Sequence, residues 1–200
     1  MTAPTKQQCE QPQAELEKAK ARIQAMRISK TLNAFEENWK EYLHCLERVW
    51  NKAASQYGRH PSWNGWAGRF RTLRSQDPLL AYLKNARDAD QHTIQAISQR
   101  TAGGVGIKPA QGNSLYIKEI MIQEGKIWIR SPQRLKIVFI PAKAKLLPTE
   151  NRGVKYSVPT SHLGMPVDPE NVLEIAEKGY LFYARFLNEA DTSFKKENPS

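Results

Sequence analysis

The sequence predicts a mainly helical protein of the α+β class, a helical bundle with an antiparallel β meander inserted before its last helix. Apolar residues recur at helical spacing through the first hundred residues, short β-rich runs separated by turn residues follow, and a strongly apolar helix starts at Asp168-Pro169. We therefore expect four regions: a first part of the helical bundle with a polar N-terminal tail (1–102), a basic β insertion (103–165), the last bundle helix (166–190) and a disordered tail (191–200).

The first helical pattern runs from about Gln13 to Tyr57, as one long helix or two collinear pieces. Its second half is typical of a core helix, because apolar residues recur at three- and four-residue steps. They are Phe35, Trp39, Tyr42, Leu46, Val49 and Ala53. The first half is richer in charge, so we expect it to project into solvent or to pair with a second copy.

A second helix is predicted from Asp77 to Gln99. Asp77 can cap the first amide groups, and Pro78 stands at the first helical position, where its missing N–H costs nothing. Leu79, Leu83, Ala86 and Ile97 then form an apolar stripe.

The β insertion is predicted from five short runs with partial alternation, which suggest a meander of four or five strands. The runs are 115–122, 126–130, 135–140, 142–147 and 153–158. The helix that follows Asp168 is apolar over most of its circumference and cannot stand alone, so we expect it to return to the helical bundle.

The net charge of +10 is concentrated in the predicted insertion. Residues 101–165 hold ten lysines and arginines against three acidic residues, a net charge of +7. This concentration favours an anionic partner such as RNA or DNA, with Lys143 and Lys145 as candidate phosphate contacts. The alternatives are a solvated surface that promotes solubility and a sheet that merely covers the bundle.

A short motif stands within the second helix: Arg87-Asp88-Ala89-Asp90-Gln91-His92. It resembles the R-(N/D/H)-x3-H motif of the HEPN superfamily, helical-bundle domains of which many are metal-independent endoribonucleases. The functional pair of that family corresponds to Arg87 and His92, with Asp88 as the polar residue after the arginine. The resemblance covers about residues 63–97, and it implies an endoribonuclease that acts as a homodimer.

The residue types of the motif suit RNA cleavage without a metal. When the ribose 2′-OH attacks the adjacent phosphate, a group near neutral pKa must move protons and a cation must stabilise the phosphorane. His92 and Arg87 can fill these two roles, and Asp88 can orient the imidazole. Further candidate substrate contacts lie on or before the same helix: Lys84, Asn85, Arg69, Arg71 and Arg74. The three arginines would line a phosphate path, or else form an exposed basic helix end.

The spacing within the motif has a geometric consequence. Positions five apart on a regular helix point about 140° apart, so one straight helix does not bring Arg87 and His92 together. Either the helix is distorted, or the motif helices of two copies face each other and complete one cleft. The alternative is that Arg87, Asp88, Asp90 and His92 form a buried polar network that holds helices or a dimer together.

Other classes of function are less well supported. Two cysteines without metal-ligand spacing predict neither a disulfide framework nor a metal site, and the glycines of 101–106 lack the Lys-Ser/Thr of a phosphate-binding loop. No apolar run approaches the ~18 residues of a membrane span, and no signal-peptide pattern is present. We expect a cytoplasmic protein with no cofactor and no membrane partner.

These observations together lead to one expected function and one alternative. The expected function is a homodimeric, metal-independent endoribonuclease that binds RNA, and the resemblance implies a toxin or a defence or stress effector with an antitoxin or neighbouring-gene partner. The alternative is a non-catalytic nucleic-acid-binding or adaptor module whose Arg/His motif is structural.

Overall fold

The computed structural model describes residues 11–92, 98–101, 104–140 and 143–194, with side chains for 12–89, 105–138 and 144–194. It contains both helices and short antiparallel strand pairs, which confirms the mixed α+β class. The chain divides into a helical unit, residues 1–99 with 144–200, and a β unit, residues 100–143. Helices assigned in the described residues are α1 (Gln11–Ile28), α2 (Leu32–Tyr57), α3 (Trp63–Gln76), α4 (Pro78–His92) and α5 (Val172–Phe194).

Helices α1 and α2 form an antiparallel hairpin, so the expectation of one long helix or two collinear pieces is wrong. Thr31 ends the connection between them and caps α2, its Oγ1 accepting from the amide of Ala34 at 3.2 Å. Glu15 near the start of α1 contacts Arg48 and Lys52 near the end of α2, each at 2.8 Å. The charged half of α1 is therefore packed in this chain, and Glu15 is itself buried.

Helix α5 returns to the helical unit and packs against α1 and α2. The hydroxyl of Tyr42 in α2 donates to the carbonyl of Ala176 in α5 at 2.7 Å. Gly179 allows this approach, because a Cβ there would lie 2.5 Å from Leu83 Cδ1 and 2.6 Å from the Tyr42 hydroxyl. The buried core includes side chains from all five helices.

An aromatic cluster extends α5 beyond the predicted boundary of the tail at residue 191. Phe194, the last residue of α5, lies 5.6 Å from Trp63 and 5.1 Å from Trp66 between ring centroids. Asp191 accepts from Gln13 Nε2 at 2.8 Å and from the Tyr57 hydroxyl. These contacts order residues 191–194, which the composition assigned to a disordered tail.

Helix α4 is described as far as His92, and a strand begins at Ser98, so the predicted helix does not extend to Gln99. Residues 93–97 lie outside the described part of the chain. The strands that follow the β unit belong to the helical unit, so the β unit is smaller than the expected insertion of 103–165. The reason is burial: Leu146 and Thr149 are both about 1% exposed, and Tyr82 of α4 donates to the carbonyl of Leu147 at 2.8 Å.

In the part of the chain that the structure describes, the strands form five two-stranded pairs, and they do not pair consecutively as the predicted meander requires. The pairs nest around a central hairpin instead of following one another: β1 with β6, β2 with β5 and β3 with β4, followed by β7 with β8 and β9 with β10. Their bounds are β1 (Ser98–Thr101), β2 (Gly104–Pro109), β3 (Glu119–Gln123), β4 (Lys126–Arg130), β5 (Leu135–Ile140), β6 (Lys143–Leu146), β7 (Thr149–Asn151), β8 (Val154–Tyr156), β9 (Ser161–His162) and β10 (Met165–Pro166). Strand β2 begins inside the glycine-rich segment that the sequence suggested was a connector.

The central hairpin of the β unit turns at Glu124-Gly125, where both residues have positive φ values of 50° and 74°. Such a two-residue turn matches the twist of the flanking strands and needs glycine at its second position. The register pairs Met121 with Trp128 and Ile122 with Ile127. Neighbouring side chains alternate between the two faces of the hairpin, which fixes what each face presents.

Candidate functional site

The motif helix α4 is anchored at its start by Asp77. The Oδ1 atom of Asp77 accepts a hydrogen bond from the amide of Leu80 at 3.0 Å, which confirms the predicted cap. The same carboxylate lies 2.9 Å from His162 Nδ1 and accepts from the amide of Leu163 at 2.6 Å. Burial alone would raise the pKa of the Asp77 carboxyl, but hydrogen bonds from Leu163, His162 and Leu80 hold that pKa below its usual range. Asp77 therefore ties β9 and the turn after it to the start of the motif helix.

Arg87 and Asp88 lie together near the end of α4. Arg87 Nη1 is 3.0 Å from Asp88 Oδ1, and Arg87 Nη2 is 3.7 Å from Oε1 of Glu47 in α2. The side chains of Arg87 and Asp88 are 17% and 23% exposed, so solvent reaches both. The guanidinium thus carries two carboxylate partners within one chain, while keeping an exposed edge.

Glu47 joins this pair to a second arginine. Its Oε2 accepts from Arg74 Nη2 at 2.6 Å, and Arg74 Nε donates to the Tyr183 hydroxyl at 3.0 Å. Arg74 is buried, with its guanidinium carbon 4.2 Å from the centre of the Trp50 ring. Glu47 therefore bridges two arginines from different helices, and Arg74 is committed to the interior.

Asn151 of β7 completes the network from the other side. Its Nδ2 donates to Asn85 Oδ1 at 2.8 Å and to Asp88 Oδ2 at 3.2 Å. Asn85 is buried and also donates to the carbonyl of Ala81 at 2.8 Å. Side chains from α2, α4 and β7 thus meet around Arg87 and Asp88.

The side chains of Asp90 and His92 lie outside the described residues, and so does any contact between Asp88 and His92. The backbone is α-helical through His92. Positions 87 and 92 of a regular helix lie about 140° apart, so the helix shows no distortion that would bring them to one side.

The remaining candidate contacts are spread over several elements of the chain. Lys84 is exposed on α4, and Lys145 is paired with Glu170 at 3.8 Å. Arg71 is exposed and donates to the Asn64 side chain at 3.0 Å. The side chain of Lys143 lies outside the described residues. With Arg74 buried, the expected phosphate path of three arginines is not continuous.

Arg69 lines a separate cavity of about 350 Å³ within the helical unit. Phe70, Leu73 and Phe182 supply apolar walls, while Arg69 and Arg185 supply charge. Both arginines are hydrogen-bonded to Glu189, so their charge is partly neutralised. Neither Arg87 nor Asp88 is among the lining residues.

Sequence reasoning missed Glu47 and Asn151. Glu47 had a signal, because it lies four residues after Leu43 and three before Trp50 and so shares their core-facing side of α2. A carboxylate at such a position indicates a buried cationic partner. No sequence signal marked Asn151, because the sequence Asn-Arg-Gly is typical of an ordinary turn.

In the β unit, the paired strands separate charge from branched apolar residues. The register places Ile120, Ile122, Ile127 and Ile129 on one face of the β3–β4 hairpin. The opposite face carries Glu119, Met121, Gln123, Lys126, Trp128 and Arg130. In the β2–β5 pair, Lys108 opposes Lys136 on one face while Val105, Ile107 and Ile137 lie on the other. Each strand pair therefore has a charged face and a face without charge.

Across the described part of the chain, no three histidine, cysteine or acidic side chains are grouped as a metal site would require. The helices of that part include none with the length and apolar character of a membrane span. Comparison with protein families, curated proteins and solved structures finds no match to this chain.

Proposed function

We propose that the protein is a metal-independent endoribonuclease of HEPN type that acts as a homodimer. In the proposed reaction the ribose 2′-oxygen attacks the adjacent phosphorus and loses its proton, and the bond from phosphorus to the 5′-oxygen breaks. His92 moves the proton, and Arg87 stabilises the charge of the phosphorane. The products are a 2′,3′-cyclic phosphate and a 5′-hydroxyl, with no divalent ion required.

The observation that carries this proposal is the direct contact of Arg87 with Asp88 close to the end of a helix that stops at His92. The guanidinium is partly exposed, and its contact with Glu47 is long at 3.7 Å. Asp88 is close enough to hold the guanidinium while its other oxygen is fixed by Asn151.

The same proposal requires a dimer. Positions 87 and 92 point about 140° apart on the helix, so one chain alone does not bring Arg87 and His92 into one site. Two copies related by a two-fold axis with adjacent α4 helices place an arginine of one chain near a histidine of the other. Light scattering at micromolar concentration tests this, and a monomer contradicts it. A cytoplasmic toxin or a defence or stress effector, held by an antitoxin or neighbouring-gene partner, is the setting we propose for such an activity.

A second candidate is a non-catalytic nucleic-acid-binding or adaptor module. The observation that favours it is the set of partners of Arg87, whose charge is balanced by Glu47 and Asp88 in one chain. A polar network of this kind can serve only to hold α2, α4 and β7 together. The basic β unit would then supply binding without cleavage.

The experiment that separates the two candidates is incubation of the purified protein with mixed RNA in EDTA. The enzyme predicts cleavage by the wild type and a loss of about 10²-fold or more in His92→Ala and in Arg87→Ala. His44→Ala, a histidine change on α2, is the matched control and should cleave normally. Circular dichroism must show that each variant is folded, because loss of Arg87 also disrupts the Glu47 network. Intact RNA with folded wild-type protein at every pH from 5 to 9 would favour the adaptor.

A further inference from the structure

The charged face of the β3–β4 hairpin combines an exposed tryptophan with two cations. Trp128 is 60% exposed, and Lys126 and Arg130 lie two residues before and after it on the same strand face. Alternate residues of a strand are about 7 Å apart, so both cations flank the indole. Met121, the cross-strand partner of Trp128, is 52% exposed and widens the flat apolar surface.

The charge of this region is available to a ligand. Residues 100–143 hold eight lysines and arginines against two glutamates, a net charge of +6. Arg130 is paired only loosely with Glu119, at 3.6 Å, and its side chain is 75% exposed. An exposed ion pair of this kind contributes little to the stability of the fold. Arg130 can therefore leave Glu119 and bind a phosphate at a small cost in free energy.

The separation of faces identifies the kind of partner. A protein partner that covered Trp128 would also have to desolvate Lys126 and Arg130, which is costly without matching acids. The isoleucine face on the other side of the hairpin carries no charge and suits apolar packing better. Trp128 therefore lies on the face that suits a ligand with both flat rings and negative charge.

We infer that this face is a stacking site for single-stranded RNA, in which an unpaired base stacks on Trp128 while Lys126 and Arg130 contact the flanking phosphates. Single-stranded nucleic acid offers both exposed base faces and regularly spaced phosphates, whereas a duplex hides its base faces. The inference rests on the proposed RNA substrate, but it does not require cleavage. It adds Trp128, Lys126 and Arg130 to the substrate-binding residues.

Tryptophan fluorescence provides a direct test. The chain has five tryptophans, of which Trp39, Trp50, Trp63 and Trp66 are buried or half-buried in the helical unit. Stacking on Trp128 should therefore quench the exposed part of the emission. The probe is a mixed-sequence 2′-O-methyl oligoribonucleotide, which lacks the 2′-OH nucleophile, titrated at low salt beside the same oligonucleotide in duplex form.

The expected result is saturable quenching by the single strand and weaker quenching by the duplex. Trp128→Ala lacks the fluorescent reporter, so its affinity is measured by the anisotropy of a dye-labelled oligonucleotide. Binding should weaken roughly 5-fold to 150-fold, the range that loss of one stacked base produces. Trp128→Phe should retain most of the affinity. Ile127→Ala, one residue away on the opposite face, is the matched control and should bind like the wild type, with circular dichroism unchanged.

Equal affinity of Trp128→Ala and the wild type, or no quenching at all, would overturn the inference. An equal loss in Ile127→Ala would do the same, because it would assign the effect to the hairpin fold. If the wild type cleaves RNA and Trp128→Ala binds it normally, the stacking site is contradicted but the proposed endoribonuclease is not. Loss of binding by Trp128→Ala in the anisotropy titration, with no cleavage by any protein, would support the stacking site and contradict the endoribonuclease.

Discussion

Replacement of Asp77 by alanine should destabilise the helical unit more than the loss of an ordinary helix cap. The carboxylate accepts from the amides of Leu80 and Leu163 and contacts His162, at distances from 2.6 to 3.0 Å. It therefore joins the start of α4 to β9 as well as capping the helix. Alanine removes all three interactions and leaves the buried amides without this acceptor.

The size of the effect follows from these contacts. Loss of a cap costs about 1 kcal/mol, and loss of a hydrogen bond to a charged group costs about 1.5–3 kcal/mol. Since contributions at one side chain are not additive, we expect a decrease of about 3 kcal/mol in the free energy of unfolding. For a chain of this size the melting temperature should fall by about 6–12 °C. Asp77→Asn keeps one oxygen acceptor and should lose about half as much.

Urea unfolding followed by circular dichroism measures this directly. Asp168→Ala is the matched control, because Asp168 also precedes a proline but is exposed, and its carboxylate accepts from the nearby Glu170 amide. It should lose less than about 1 kcal/mol. A decrease below about 1 kcal/mol in Asp77→Ala would refute the anchoring role of this carboxylate.

The same variant predicts a pH dependence. The folded pKa of Asp77 lies below the unfolded value of about 3.9, so the carboxylate stabilises the fold fully above about pH 5. That stabilisation is lost as the pH falls through the unfolded value towards the folded one. The difference in stability between wild type and Asp77→Ala should therefore shrink below about pH 4, and a constant difference down to pH 2 would contradict the assignment.

Three further outcomes are expected. Glu15→Gln should lower the free energy of unfolding at neutral pH, and that free energy should then fall less between about pH 4.5 and pH 2. The reason is that three cations hold the pKa of Glu15 at about 2 although burial raises it, and acid titration by circular dichroism measures the effect. Gly179→Ala should cost about 1–3 kcal/mol in urea unfolding through overlap in the core, whereas Gly68→Ala, with no atom near its added Cβ, should be neutral or stabilising. Reversing Lys143 and Lys145 to glutamate should flatten the salt dependence of RNA affinity, and an unchanged slope would remove these lysines from the interface.

Local signals predicted the parts of the fold that depend on nearby residues. Asp77 followed by Pro78 marked the start of α4, and the apolar circumference of the last helix predicted its return to the bundle. The end of this helix was less predictable, because the apolar pattern continues to Ile97 although Ser98 already begins a strand. A helix end without glycine gives little local warning.

Features set by long-range contacts were beyond the reach of pattern alone. The strand runs were largely found, but their nested pairing was not, because alternation along a strand does not specify its partner. The hairpin of α1 and α2 depends on ion pairs between Glu15 and residues more than thirty positions away. Similarly, the motif indicated Arg87 and Asp88 as candidate site residues. The contact of Arg87 with Glu47 and that of Asp88 with Asn151 could be found only from the structure.

The central claim is that Arg87 and His92 cleave RNA without a metal, and analysis of the RNA ends tests it most directly. A 5′-labelled RNA is incubated with wild type and with folded His92→Ala protein in EDTA, and the products are treated with acid, which opens cyclic phosphates. The account predicts fragments that end in a 2′,3′-cyclic phosphate with the wild type and about 10²-fold fewer with His92→Ala. Intact RNA, fragments that end in a 3′-hydroxyl, or equal cleavage by both proteins would contradict it.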